Sequence, residues 1–204
     1  MTTETQVSER VRIPVFAAFV AYALLMRVLP YVVHVAGGMD VEYSYFYPWN
    51  FSPIFAMAIF GGAVFSSRLA ILLPIALLFV SDVAIALLMG SDWGSYRNQP
   101  FTYATFAVLA LCGVPLRQQR NVVPIATAGF GGAVVFFLIS NFGVWFVGGG
   151  YSHPATPAGL LRCYFDGLPF FGLTLVSLAM FLPVLFSPLV LARTSRQADA
   201  QAVV

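Results

Sequence analysis

Long apolar stretches separated by short polar segments dominate the chain from residue 13 onward. About 20 apolar residues in helical form span a hydrocarbon core of about 30 Å, because each residue adds about 1.5 Å. Six stretches meet or approach this length, at residues 13–35, 51–65, 69–89, 101–116, 122–147 and 169–192. The pattern predicts an all-α integral membrane bundle of six transmembrane helices in a single domain that covers residues 1–204.

Two of the six stretches are irregular. Residues 51–65 are short for a full crossing unless the aromatic residues before them are also embedded. Residues 169–192 contain Pro183, which removes a backbone donor and predicts a kink or a division of the helix. Residues 157–168, just before this stretch, are predicted to form a short amphipathic helix on the outer side.

The placement of arginine predicts the orientation, because positively charged residues are retained in cytoplasmic loops. With the N-terminus inside, the cytoplasmic segments hold Arg10, Arg12, Arg68, Arg117, Arg120, Arg193 and Arg196, and the outer loops hold Arg97 and Arg162. Both termini are therefore expected in the cytoplasm. The inner loops are short turns, so any recognition built from loops is expected to face outward.

The composition agrees with lipid as the main solvent, since 60% of the residues are hydrophobic and 9% are charged. The arginines are scattered between apolar stretches, so nucleic acid is not an expected partner. No phosphate-binding glycine loop, metal-ligand spacing or nucleophile elbow is present, so no catalytic, metal or cofactor site is predicted. Cys112 and Cys163 are interpreted as free thiols that fill space.

Two ionisable residues fall inside the predicted helices, where each costs about 2.5 to 3.5 kcal/mol. Arg27 lies 14 residues into the first helix, or about 21 Å, and Asp82 lies 13 residues into the third, or about 20 Å. Because both helices start on the cytoplasmic side, the two charges are predicted to meet in the outer half of the bundle. They form either a structural ion pair or the floor of a pocket that presents guanidinium donors to a ligand.

Two asparagines occupy comparable outer positions. Asn50 opens the segment Asn50-Phe51-Ser52-Pro53, which has the pattern of a helix start where Asn50 or Ser52 caps amide groups. Asn141 interrupts an apolar helix at depth, so its carboxamide needs hydrogen-bond partners from the protein or from a ligand.

Aromatic residues crowd the first outer loop, with five of them in the seven positions from Tyr43 to Trp49. An interfacial belt of Tyr and Trp accounts for aromatic residues at this level, and stacking on a flat ligand is the alternative. Tyr47, Trp49 and Trp145 are the candidates for enclosing such a ligand. His153 is either a solvated loop residue or a ligand contact.

These residues resemble an uncharacterised family of small bacterial six-helix membrane proteins. The likeness rests on Arg27, Pro30, Asn50-Phe51-Ser52-Pro53, Phe60-Gly61-Gly62, Ser81-Asp82 and Ser140-Asn141-Phe142-Gly143-Val144-Trp145. That family is in turn similar to the substrate-binding S components of energy-coupling factor transporters, which capture vitamins or their precursors from the outside. The resemblance implies an S-component-like fold, a small vitamin-like ligand and a multi-pass location in the bacterial cytoplasmic membrane.

The resemblance also implies a protein partner. S components dock through small residues spaced four apart on the first helix onto a transmembrane coupling subunit that separate ATPases drive. Ala17 and Ala21 have this spacing, and Arg27 points about 100° away from their mean direction. One face of the helix can therefore meet a partner while another lines the interior. The same spacing is common at ordinary membrane helix contacts.

The sequence thus predicts a membrane-embedded protein for solute binding or uptake, and not an enzyme. Its candidate ligand-binding residues are Arg27, Asn50, Asp82, Asn141, Trp49, Tyr47, Trp145 and His153. One alternative is a membrane scaffold or assembly factor whose polar residues only hold helices together. The other is an intramembrane enzyme that acts on a lipid-like substrate through Arg27, Asp82 and His153.

The arginine distribution makes the orientation testable. Single cysteines introduced at Gly38 or Ser152 of a chain without Cys112 and Cys163 should react with an impermeant thiol reagent added outside. A cysteine at Gln118 should react only after the inner face is opened. Reaction of the Gln118 variant in intact cells would rule out the six-helix topology.

Overall fold

The computed structural model describes residues 7–38, 40, 47–148 and 153–195. Part of the aromatic loop, Tyr43, Tyr45 and Phe46, lies outside the described residues, as do Ser152 and Arg196. The fold is all-α apart from one two-stranded sheet.

Six helices of more than ten residues form a bundle in the described part of the chain. They are α1 (Ile13–Val35), α2 (Ile54–Val64), α3 (Ser67–Met89), α5 (Gln99–Gly113), α6 (Val122–Phe146) and α7 (Pro157–Leu185), with a single turn, α4 (Ser91–Gly94), before α5. A 3₁₀ turn, Val114–Arg117, continues α5. Five helical segments are long and apolar enough to cross a membrane, namely α1, α3, α6, α7 and Ser91–Arg117. The protein is therefore built as a multi-pass membrane protein.

Helix α2 is the centre of the bundle. Its 11 residues are about 16.5 Å long, roughly half of a hydrocarbon core, so α2 alone does not cross it. Every residue from Ile54 to Ala63 is buried, because α2 is apolar on all sides and is surrounded by α3, α5, α6 and α7. The segment before it, residues 47–53, is irregular. Such backbone is tolerated at membrane depth only where protein or a cavity surrounds it.

The last part of the chain corrects the sequence prediction. Residues 157–168 and the predicted sixth helix form one continuous helix, α7, which runs through Pro169 and Pro183. Cys163 and Gly167 hold the first half of α7 against Asn141 of α6, so this half belongs to the bundle and does not lie on its surface. Helix α7 ends at Leu185, two residues after Pro183.

The predicted end of the sixth helix, residues 186–192, is instead a turn that leads into a short strand. Strand β1 (Val7–Val11) pairs antiparallel with β2 (Leu191–Ser195), and Val11 lies opposite Leu191. The Arg12 amide extends the ladder by donating to the Val190 carbonyl at 2.7 Å. Pairing satisfies the backbone groups of both segments, which a lone strand at a membrane surface does not achieve. The two segments therefore lie at the same end of the bundle.

The C-terminal end of α2 is held by two arginines of the segment after α5. Arg117 donates from Nε to the Gly62 carbonyl and from Nη2 to the Phe65 carbonyl, each at 2.8 Å. Arg120 donates from Nη2 to the Ala63 carbonyl at 3.0 Å. Cationic donors at these carbonyls also complement the negative end of the helix dipole. Two of the arginines that predict the orientation thus hold the central helix.

Glycines allow α2 and α5 to touch through their backbones. A Cβ added at Gly62 would overlap the Ala110 carbonyl, and one at Gly113 would overlap the Ile59 carbonyl. Both overlaps are with backbone, which cannot rotate away. Small residues permit this kind of close approach between membrane helices.

The change Gly113→Ala should destabilise the protein by about 1 to 3 kcal/mol, because α5 must move away from α2. Gly131→Ala is the matched control on α6, where an added Cβ meets no described atom within 4 Å. That variant should unfold like the wild type or slightly later, since alanine favours helix. Thermal unfolding in detergent gives both values, and equal losses would contradict the close contact.

Candidate functional site

Asp82 on α3 is the most deeply buried charge among the described residues, with 3% of its side chain exposed. Its Oδ1 accepts a hydrogen bond from Arg27 Nη2 on α1 at 2.5 Å. Its Oδ2 accepts from Gln99 Nε2 and from the Tyr103 hydroxyl of α5, each at 2.8 Å. The ion pair predicted from matched depths is confirmed and joins α1 to α3. The bonds from Gln99 and Tyr103 extend it to α5, so the whole network joins three helices.

Arg27 keeps hydrogen-bonding capacity that Asp82 does not use. Its Nη2 also approaches the Tyr96 hydroxyl at 3.4 Å, and 28% of its side chain is exposed. Its Nε atom is buried and has no hydrogen-bond partner among the residues that the structure describes. A buried donor without a partner costs about 1 to 3 kcal/mol, so an acceptor is expected to reach it from the adjacent space.

That space is a cavity of about 320 Å³ in the predicted outer half of the bundle, here named the arginine cavity. Arg27 and Asp82 form its charged wall. The start of α2 contributes Ser52, Ile54 and Phe55. The aromatic side chains of the remaining wall include Tyr31, Trp49, Trp93 and Tyr96. The volume is at the small end of the range of about 300 to 1,000 Å³ for ligand pockets.

A second cavity of about 290 Å³, the asparagine cavity, lies beside the first. Asn98, Ser140, Asn141 and Asp166 provide its polar groups, and Phe137, Phe170 and Phe171 its apolar ones. The two cavities share the side chains of Asn50, Thr102 and Phe136 as a common wall. Both therefore surround the irregular segment that precedes α2.

The sequence leaves open whether Asn50 or Ser52 caps the start of α2, and the structure shows different bonds for the two side chains. Asn50 does not cap α2 but donates from Nδ2 to the Phe170 carbonyl at 3.3 Å and to Thr174 Oγ1 at 3.2 Å. Ser52 Oγ accepts weakly from the Ile54 amide at 3.4 Å, and its carbonyl accepts from Ser177 Oγ at 2.6 Å. The irregular segment is thus fastened to α7 by side chains.

Asn141 finds partners inside the protein as well as in a cavity wall. Its Nδ2 donates to the Phe137 carbonyl one turn earlier at 2.8 Å. Its carboxamide packs directly on Gly167 of α7, where a Cβ would overlap Oδ1. This contact explains why a glycine is needed at position 167.

The other predicted site residues lie farther from the cavity floors. Tyr47 donates its hydroxyl to the Met26 carbonyl and contacts the Trp49 ring at 4.8 Å between centroids, and burial raises the pKa of Tyr47 to about 12. Trp145 Nε1 donates to the Pro154 carbonyl at 3.0 Å. His153 Nε2 lies 3.4 Å from Asp166 Oδ2 and is buried. None of these three residues lines either cavity.

Sequence reasoning missed the neutral partners of the charged pair. Gln99 and Tyr103 lie at positions i and i+4 of α5, so both face Asp82 from one side of the helix. That spacing is the only signal that could have identified them, and it is a weak one. Thr102 and Phe136, which separate the cavities, carry no signal in the sequence.

Removing either charge should orphan the other. We expect Arg27→Ala and Asp82→Ala each to lower the free energy of unfolding by roughly 3 to 5 kcal/mol. The double variant should lose less than the sum of the two, because the charges act as one unit. Arg162→Ala is the control, since that side chain is 76% exposed on α7. Single variants as stable as the wild type would show that the pair carries no stabilising energy.

Comparison with known proteins places the chain in one family. No curated protein and no solved structure matches it. The model of a family of unknown function, DUF6580, matches residues 7–201. This span includes both strands, all seven described helices and every residue of the two cavities. The chain is therefore a member of the DUF6580 family of unknown function.

Proposed function

We propose that the protein binds a small solute in the outer half of the bundle and serves its uptake across the bacterial cytoplasmic membrane. The observation that carries this proposal is Arg27, which lines the arginine cavity and whose buried Nε has no partner among the described residues. A donor in that position is satisfied when an acceptor group of a ligand enters. This function requires the protein to bind the solute and does not require it to catalyse a reaction.

The resemblance to S components of energy-coupling factor transporters suggests which solute is bound and which partner drives its uptake. The solute would be a vitamin or a precursor, taken from outside. A transmembrane coupling subunit with its ATPases would then drive release to the cytoplasm. Helix α1 packs along α3 and leaves Ala17 and Ala21 exposed, as a docking face requires. Arg27, on the same helix, contacts the cavity instead.

The two alternatives account for fewer of the contacts. A scaffold needs the Asp82 network, whose three donors satisfy the carboxylate, but it has no need for the unpartnered Nε of Arg27. An enzyme that uses Arg27, Asp82 and His153 needs the three side chains together. His153 contacts Asp166 of the asparagine cavity, whereas Arg27 and Asp82 line the arginine cavity.

We expect the solute to reach across the wall that the two cavities share, and Asn141→Leu tests this by removing a polar group of the asparagine cavity without leaving a buried charge. Affinity for the copurifying solute should fall by up to about tenfold, because one hydrogen bond to a neutral group contributes about 0.5 to 1.5 kcal/mol. Thermal stability should change little. Asn121→Leu is the control, since Asn121 is exposed at the opposite end of α6 and its side chain makes no capping bond there.

The measurement is mass spectrometry of small molecules extracted from each purified protein, followed by titration of the solute found. A solute retained by the wild type and the Asn121 variant, and reduced in the Asn141 variant, supports the proposal. A wild-type protein that carries no solute contradicts it, and equal retention by all three proteins shows that the solute does not contact Asn141.

Docking is tested separately on α1. The double change Ala17→Leu and Ala21→Leu adds bulk to an exposed face, so folding and solute affinity should stay unchanged while uptake in cells falls. Val123→Leu, which adds bulk at an exposed position of α6, should leave uptake near the wild-type rate. Normal uptake by the double variant would remove the docking role of this face.

A further inference from the structure

Arg27 brings more hydrogen-bond donors to the wall of the arginine cavity than its described bonds use. Arg27 carries five N–H groups, and its described bonds go from Nη2 alone, to Asp82 and to Tyr96. Asp82 already accepts three bonds, two of them from the neutral donors Gln99 and Tyr103. The carboxylate therefore has little capacity left, whereas the guanidinium keeps N–H groups, Nε among them, that no described residue accepts. A ligand of this cavity is expected to present acceptors.

The start of α2 strengthens the same preference. The first amide groups of a helix have no partner inside the helix, and together they carry a partial positive charge. Ser52 Oγ accepts from the Ile54 amide alone, at 3.4 Å. The N-cap residue, Pro53, makes no side-chain capping bond to the first amides of α2. Ile54 and Phe55 line the cavity beside Arg27. A guanidinium and a helix N-terminus at one cavity favour an anionic group.

The remaining wall is aromatic. The Tyr31 ring lies 6.3 Å from the Trp49 ring and 6.1 Å from the Trp93 ring between centroids, both in edge-on arrangements. Tyr47 extends the group by packing edge-on against Trp49. Rings placed this way offer both faces and edges to a further ring, at separations that aromatic pairs prefer.

We infer that the solute of this cavity is a planar aromatic carboxylic acid, with its carboxylate on Arg27 and the start of α2 and its ring among Tyr31, Trp49 and Trp93. This inference rests on the proposed solute-binding function and specifies the ligand class. The Arg27–Asp82 pair is neutral overall, and the helix N-terminus supplies the additional positive potential that favours the acid.

Three matched probes separate charge from shape. They are 2-naphthoate, its neutral amide 2-naphthamide, and the saturated acid decahydro-2-naphthoate. Titration calorimetry on the purified full chain should show that 2-naphthoate binds roughly tenfold or more tightly than the amide, as a lost charge-assisted bond implies. The saturated acid should also bind more weakly than 2-naphthoate, because it lacks a π-face.

A variant pair tests whether Arg27 causes the preference for the acid. Arg27→Gln combined with Asp82→Asn removes both charges together, so no buried charge is orphaned. The affinity ratio of acid to amide should fall to about one in this variant, with the amide still bound. The control Arg162→Gln removes an exposed arginine from α7 and should keep the ratio of the wild type.

The outcomes distinguish this inference from the proposed function. Equal binding of the acid and the amide by the wild type, or a ratio that survives in the double variant, overturns the acid class and leaves solute binding intact. A copurifying solute without an acid group also overturns the acid class and leaves solute binding intact. If no probe binds and the purified protein carries no solute, both the inference and the proposed function are wrong.

Discussion

The buried carboxylate of Asp82 is the constraint on which the outer half of the bundle depends. A charge with 3% exposure in an apolar bundle is stable only when it is paired and fully hydrogen-bonded. Three helices meet this need, since α1 supplies Arg27 and α5 supplies Gln99 and Tyr103 to a residue of α3. The network therefore fixes the positions of these helices relative to one another. It also fixes the guanidinium at the wall of a cavity.

The second organising feature is the half-length of α2. A buried helix that ends inside the bundle leaves unpaired amides at one end and unpaired carbonyls at the other. Arg117 and Arg120 cover the carbonyl end with cationic donors. At the amide end, side chains of α7 fasten Asn50 and Ser52, but the first amides of the helix remain at the cavity wall. The two ends of the same short helix are thus treated differently, since arginines cover the carbonyl end and residues of the amide end line a cavity.

These two features converge on one place. The charged network positions Arg27, the short helix directs its N-terminus to the same cavity, and the aromatic residues of α1, α4 and the loop before α2 form the remaining wall. The groups that stability requires are satisfied by one another, whereas Arg27 Nε is left over in the part of the chain described here. A donor that folding does not use is the physical basis for assigning a ligand to the site.

The sequence by itself determined the membrane class, the position of α1 and the Arg27–Asp82 pair, because hydropathy and helical rise depend only on residue order. It also singled out three residues that line the cavities, Asn141 through the cost of a polar group at depth, Asn50 through its place at a helix start and Trp49 through the crowding of aromatic residues in the first outer loop. Only the tertiary structure decided the continuity of α7, the β1–β2 pair and the roles of Gln99, Tyr103 and Thr102. These features involve contacts between segments distant in the chain, and local patterns of hydropathy and spacing do not show which segments meet.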